Sequence, residues 1–219
     1  MKVLFVGNSY TYFNDMPKIF ENLALENGKR ISVDSVTKGG RKLYQNLEPQ
    51  DEYHQKIVDL CKENAYDVLI LQEQSYFPLV DFEKFCEGLS GVSALVRAKR
   101  VLLYATWGRK TGAPLLAELG LTSEEMTDRL SDAYERAAER LGAEVSPVGR
   151  AFAAVSCEDP APELYNPDLS HPSLLGSTLA ALTHYRSVFG ELPRSYTAIE
   201  DENTWIPLLF RTVERTFVT

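Results

Sequence analysis

Short apolar or β-branched runs recur along this chain at intervals wide enough to hold a helix, and that alternation leaves few folds open. Residues 3–6 read VLFV, 31–36 ISVDSV, 67–71 DVLIL, 100–105 RVLLYA and 144–147 EVSP. A run that is apolar at nearly every position suits a strand covered on both faces. The stretches between carry apolar residues at helical spacing. Residues 15–27 have Pro17 in the first turn and Gly28 past the end, while 43–64 show helical spacing that Pro49 splits. Residues 82–98 are helical with weak points at Gly88 and Gly91, and 122–141 run from a Thr122 or Ser123 cap to a stop at Gly142. Residues 172–189 end before Gly190, and 203–217 form a terminal helix. Strands that alternate with helices pair in parallel through right-handed crossovers. The expected fold is therefore α/β, a three-layer α/β/α sandwich around a central, mostly parallel five-stranded sheet. At 219 residues and 44% hydrophobic content, one domain over 1–219 is expected.

The charge balance, 31 acidic against 23 basic residues, argues against a nucleic-acid partner, which needs a Lys/Arg-rich face, and gives no reason for adhesion to anionic membranes. Cys61, Cys86 and Cys157 form no CxxC pair and no even framework, so reduced, half-buried thiols are expected, and neither a metal nor a cofactor is implied. The apolar run at 3–6 is shorter than the ~7–15 residues of a signal core, and no stretch reaches the ~20 apolar residues of a membrane span. The expected location is the cytoplasm.

In an open parallel sheet, ligands sit beyond the carboxyl ends of the strands. The residues there are Gly7, Asn8 and Ser9 after the first strand; Lys38, Gly39 and Gly40 after the second; Gln72, Glu73, Gln74 and Ser75 after the third; and Thr106, Trp107 and Gly108 after the fourth. The segment Asn166-Pro167-Asp168-Leu169-Ser170-His171-Pro172 follows the fifth and precedes a helix. A serine hydroxyl is a poor nucleophile until a base takes its proton, and an imidazole serving as that base needs an acceptor on its other nitrogen. The chain has three histidines. His54 falls in a charged amphipathic helix and reads as solvated, and His184 falls inside the helix at 172–189 and reads as packed. His171 precedes Pro172, which disfavours α geometry before it and suits a first helical position, so His171 is held in the loop at the mouth of the sheet with Asp168 beside it. Ser9 could instead be a turn residue and helix cap, or part of a phosphate cradle. Against the cradle, the turn has no P-loop pattern, no Lys and no GxGxxG. Nor is it the GxSxG elbow of the α/β-hydrolase fold, because Thr11 stands where the last Gly would be.

Val3-Leu4-Phe5-Val6-Gly7-Asn8-Ser9-Tyr10-Thr11 resembles the first block of the SGNH (GDSL-like) hydrolases, and Asp168-Leu169-Ser170-His171-Pro172 resembles their last block. The resemblance runs from Val3 to about Phe189. It implies a serine esterase with a triad of Ser9, His171 and Asp168. It also implies an oxyanion hole built from the backbone N–H groups of Ser9 and Gly40, with Gly39 as the alternative glycine. The superfamily's third block ordinarily supplies an asparagine. Here Leu71-Gln72-Glu73-Gln74-Ser75 stands in its place, and either Gln72 or Gln74 carries the same amide donor on a longer arm. This looks like a less typical branch, with a GNS-x-T opening and an LQ-x-x-S third block.

Tyr10, Tyr12, Phe13, Tyr44, Tyr76, Phe77 and Trp107 fall at or just after strand ends, and such aromatics either pack over the rim of the sheet or face substrate. Tyr10, Tyr44 and Trp107 are the candidates for substrate contact. Arg41 and Arg109 either meet a substrate carboxylate or solvate the rim. The expected substrate is a small-molecule ester, with a small acyl group such as acetyl implied by the resemblance. A thioesterase or lysophospholipase, a non-catalytic ligand-binding module on the same fold and a flavodoxin-like cofactor-binding protein are the competing readings.

Overall fold

Every strand pairing in the computed structural model, which describes residues 1–197 and 204–218, is parallel. β1 (Lys2–Gly7), β2 (Ser32–Thr37), β3 (Tyr66–Leu71), β4 (Ala98–Tyr104) and β5 (Glu144–Ser146) lie in the order β2-β1-β3-β4-β5. Register places Val3 beside Val68 and Val33, and Leu71 beside Val6 and Leu103.

Because side chains alternate across a strand, the apolar runs supply two cores at once. Val3, Phe5, Val68, Ile70, Leu102 and Tyr104 point to one face. There they meet α2 (Met16–Glu26), α8 (Val148–Ser156), α9 (Leu174–Phe189) and α10 (Ile206–Thr216). Leu4, Val6, Leu69, Leu71 and Leu103 point to the other and meet α3 (Glu52–Glu63), α5 (Phe82–Leu95) and α7 (Ser123–Leu141). The chain is thus the three-layer α/β/α sandwich expected, with an all-parallel sheet. No described helix is long and apolar enough to cross a membrane.

Several elements depart from the sequence reading for local physical reasons. The helix expected over 15–27 is preceded by a single turn, α1 (Ser9–Tyr12), and a 3-10 turn at Phe13–Asp15. Asn14 and Asp15 both take φ of 53°, which kinks the chain between them and α2. Pro49 does split the segment 43–64, into a 3-10 turn at Leu43–Leu47 and α3. The glycines expected to weaken α5 are instead where the Leu43–Leu47 turn docks on it. A Cβ on Gly88 would stand 2.6 Å from the Tyr44 backbone nitrogen and one on Gly91 2.5 Å from Leu47. α4 (Phe77–Val80), α6 (Pro114–Leu119) and α8 were not foreseen. α7 begins at Thr122, which forms a capping box with Glu125, and ends at Gly142 in the left-handed region.

Pro172 is not the first residue of α9. Ser173 caps that helix, its hydroxyl accepting from the Gly176 N–H at 3.1 Å, because serine supplies a capping oxygen that proline lacks. The terminal helix spans Ile206–Thr216, and the part of the expectation at Asn203 lies outside the described residues. All three cysteines are free thiols, but none is half-buried as expected: Cys61 and Cys86 are buried and Cys157 is exposed.

Candidate active site

The carboxyl ends of β1, β2, β3 and β4 and the loop before α9 open onto one cleft of about 180 Å³. The first loop gives it Asn8, Ser9 and Tyr10, the second Gly40, the third Gln74 and Ser75, the fourth Arg109, and the last Ser170 and His171. Ser9 starts α1, and Asn8 caps that turn by accepting from the Tyr10 N–H at 3.2 Å. The Asn8 amide also donates to the Arg41 carbonyl at 3.1 Å, tying the serine turn to the loop after β2.

His171 Nε2 stands 2.8 Å from the Ser9 hydroxyl, and His171 Nδ1 stands 2.5 Å from Asp168 Oδ2. The other carboxylate oxygen accepts from the backbone N–H groups of Ser170 at 3.0 Å and His171 at 2.9 Å, so Asp168 is fixed by its own loop. Partial burial pushes the Asp168 carboxyl up, but the bonds from His171 and Ser170 outweigh it and hold the group below its ordinary range. The loop is pinned in turn by an antiparallel bridge between Tyr165 and Pro172, with the Asn166 N–H on the His171 carbonyl at 2.8 Å. The imidazole is held on its faces as well. Phe13 stacks on it at 4.3 Å and Tyr10 meets it edge-on at 5.5 Å. Asn14 donates to the Pro172 carbonyl at 3.1 Å and to the Ser177 hydroxyl at 2.9 Å, bracing the same loop from the α1 side.

The two glutamines expected as alternatives occupy different places. Gln72 is buried beneath the serine turn, where Oε1 accepts from the Asn8 N–H at 2.9 Å and from the Thr11 hydroxyl at 2.9 Å. Its amide nitrogen donates to the Glu73 carbonyl, so its polar atoms face the protein and not the cleft. Gln74 lines the cleft, with Nε2 donating to Ser75 at 3.2 Å and one N–H left over. Gly40 reaches the same cleft with φ of 68°, a left-handed conformation that a side chain at this position would disfavour.

Two substrate-contact candidates lie elsewhere. Trp107 is fully buried between Tyr10, stacked at 4.6 Å, and Phe152, stacked at 3.8 Å, with its indole N–H on the Ser170 carbonyl at 3.1 Å. A large flat ring with one donor suits that slot beneath the site better than the cleft wall. Tyr44 packs on Phe77 at 5.8 Å with the Lys84 ammonium over its ring, because the Leu43–Leu47 turn lies against α5. Only Tyr10 of the three lines the cleft. His54 is half-buried, not solvated, with Nδ1 2.8 Å from the Asn46 carbonyl. His184 is packed as expected, against Phe5 and Tyr104 and 2.8 Å from the Ser146 hydroxyl, and burial without a charged partner pushes its imidazole down to about 3.

Glu73 was passed over in the sequence. It is wholly buried, and both its oxygens accept from the Leu43 N–H at 3.2 Å while Oε1 accepts from the Gln74 N–H at 2.6 Å. One carboxyl thus joins the loop after β2 to the loop after β3. Burial pushes it up to about 7, and the two backbone N–H bonds and Lys42 pull the other way. An acidic residue between two glutamines at the end of an apolar run was the available signal.

No protein-family profile and no curated protein sequence matches this chain. Among solved structures, a protein of Slackia heliotrinireducens assigned by name to the SGNH hydrolases superposes with a TM-score of 0.75 at 28% identity, over 86% of this chain and 98% of that one. This chain has the SGNH-hydrolase fold. A DUF4886 family protein from Bacteroides uniformis superposes with a TM-score of 0.78 at 17% identity, over 98% of this chain and 92% of its own. The acetylxylan esterase Axe2 from Geobacillus stearothermophilus superposes at 0.63 with 14% identity, over 89% and 97%. The cleft described above lies beyond the carboxyl ends of the strands, where ligands sit in an open parallel sheet.

Proposed function

We propose that the protein is a serine esterase that hydrolyses a small carboxylic ester through an acyl-enzyme on Ser9. The observation that carries the reading is the unbroken line from the Ser9 hydroxyl to His171 at 2.8 Å and on to Asp168 at 2.5 Å. Ser9 attacks the ester carbonyl as His171 takes its proton, and Asp168 keeps the imidazole in the tautomer that presents a lone pair to the serine. The negative oxygen then forms beside the backbone N–H groups of Ser9 and Gly40 and the Gln74 amide. Gln72, whose polar atoms face inward, is set aside. His171 returns its proton to the departing alcohol and afterwards activates the water that frees the acyl group.

A cleft of only about 180 Å³ favours a short acyl group over a long chain. Its resemblance in fold to an acetylxylan esterase supports the same direction, an acetyl ester of a carbohydrate or other small molecule. The test is turnover of 4-nitrophenyl acetate and its longer homologues by the wild-type protein and by Ser9→Ala, with fluorophosphonate labelling alongside. Turnover that falls with chain length and vanishes in Ser9→Ala is expected. A wild-type protein that neither turns over these esters nor takes the label at Ser9 refutes the reading.

A further inference from the structure

The two arginines at this end of the sheet differ in one respect. Arg41 has a counter-charge, Asp51 Oδ1 at 2.5 Å from its Nη2, and it also donates to Asn46 and the Gln45 carbonyl. Arg109 has none among the described residues. Its partners are three hydroxyls: Nη1 donates to Tyr10 and Ser170, and Nη2 donates to Ser75 at 2.9 Å. Hydroxyls satisfy N–H donors but do not neutralise a guanidinium, which stays charged throughout the physiological range. Tyr10 does not supply the missing charge either, because burial pushes its phenol up against the pull of Arg109 and of its hydrogen bonds, leaving it protonated at neutral pH.

The rest of the cleft lining adds no negative group. Among the described residues no carboxylate lines it, and Asp168 stands behind His171 on the side away from Ser9. A protein of net charge −8 thus holds, in the cleft that contains Ser9 and His171, a half-buried cation with no counter-ion among the described residues. Three of the five guanidinium N–H donors are spent on hydroxyls, and the other two have no partner among the described residues. Arg109 is also close to the chemistry. It bonds Tyr10, which adjoins Ser9, and Ser170, which adjoins His171.

We infer that Arg109 forms an anion subsite of the cleft and that the ester taken by Ser9 carries a carboxylate a few bonds from its scissile carbonyl. The inference rests on the esterase reading for the word ester, and on the uncompensated cation alone for the word carboxylate. A planar carboxylate matches the remaining guanidinium donors and supplies the charge the site lacks, with Ser75, Ser170 and Tyr10 holding the guanidinium at a fixed angle to receive it. The carboxylate lies on either the acyl or the alcohol side of the ester.

Paired esters test both the charge and the side. Monomethyl succinate against dimethyl succinate places the carboxylate on the acyl side, and 4-acetoxybenzoate against its methyl ester places it on the alcohol side. The quantity read is the kcat/KM ratio of acid to neutral ester. A wild-type ratio above one in at least one pair is expected, falling about 10-fold or more in Arg109→Gln and less in Arg109→Lys, which keeps the charge. A wild-type ratio at or below one in both pairs overturns the inference. So does an Arg109→Gln ratio equal to wild type, because a mere brace lowers both members of a pair together. If Arg109→Gln does not fold, Arg109→Lys decides on the same ratio. If no ester is turned over and Ser9 takes no fluorophosphonate, the esterase reading fails by itself. Calorimetric titration of succinate then decides the subsite: binding weakened about 10-fold in the arginine variants supports it, and equal or absent binding overturns it.

Discussion

The ring of Phe13 lies flat on the imidazole of His171, with centroids 4.3 Å apart and 11° between the planes. Phe13 belongs to the kinked segment just past the nucleophile turn, and His171 is brought to it by the loop that precedes α9. The stack therefore fixes the plane of the proposed base relative to the proposed nucleophile.

Phe13→Ala is expected to lower kcat on 4-nitrophenyl acetate by about 10-fold or more, since small misplacements of a reacting group carry costs up to about 100-fold. Phe13 is only half-buried, so the melting temperature is expected to move less than for a core phenylalanine. Kinetics and a thermal melt on the same sample separate the two. An unchanged kcat would show that Asp168 alone orients the ring.

The two glutamines at the third strand end separate in the same way. Gln74→Ala removes a donor from the cleft and is expected to cost about 10²-fold in kcat with little change in stability. Gln72→Ala leaves the Asn8 N–H and the Thr11 hydroxyl without their buried acceptor and is expected to cost about 1–3 kcal/mol of stability, measured by urea unfolding. The reverse pattern would reassign the oxyanion donor.

Glu73 links stability to pH. Burial lifts its carboxyl to about 7 in the folded chain, whereas the unfolded chain releases the proton near the ordinary value of 4.5. Between these two values the folded state binds more protons than the unfolded state, so this group makes stability fall as pH rises, and the loss is complete above about 7. The span corresponds to on the order of 3 kcal/mol. Glu73→Gln keeps an acceptor for Leu43 and Gln74 and is expected to flatten the fall in melting temperature between pH 4.5 and 7. An identical pH dependence in the variant would mean that the carboxyl titrates normally.

Gly88→Ala tests the docking of the Leu43–Leu47 turn on α5. The added Cβ would meet the Tyr44 backbone nitrogen at 2.6 Å and Leu43 Cβ at 2.9 Å. Backbone cannot swing aside as a side chain does, so the usual gain from replacing a helical glycine by alanine is expected to reverse into a loss of about 1–3 kcal/mol. A stabilised variant in urea unfolding would refute that close approach.

What the sequence determined was whatever depends on short-range order. Apolar runs at 3–6, 67–71 and 100–105 identify central strands because a strand covered on both faces must be apolar at nearly every position. Asp168 and His171 were legible as a pair because three residues of one loop set their approach. Tertiary structure decided everything that depends on which distant group lies opposite. Gln72 and Gln74 are two positions apart and chemically identical; they differ because the strand ends at Leu71 and the turn beyond it aims one beneath the serine and the other into the cleft. Trp107 follows a strand end just as a substrate-facing aromatic would, and only Phe152 and Tyr10 on either side of it make it a buried wedge. Arg41 and Arg109 read alike in the chain. Among the described residues, Asp51 arrives beside the first and only hydroxyls beside the second, which separates a neutralised cation from one without a described counter-ion, because a counter-ion is a property of space and not of sequence position.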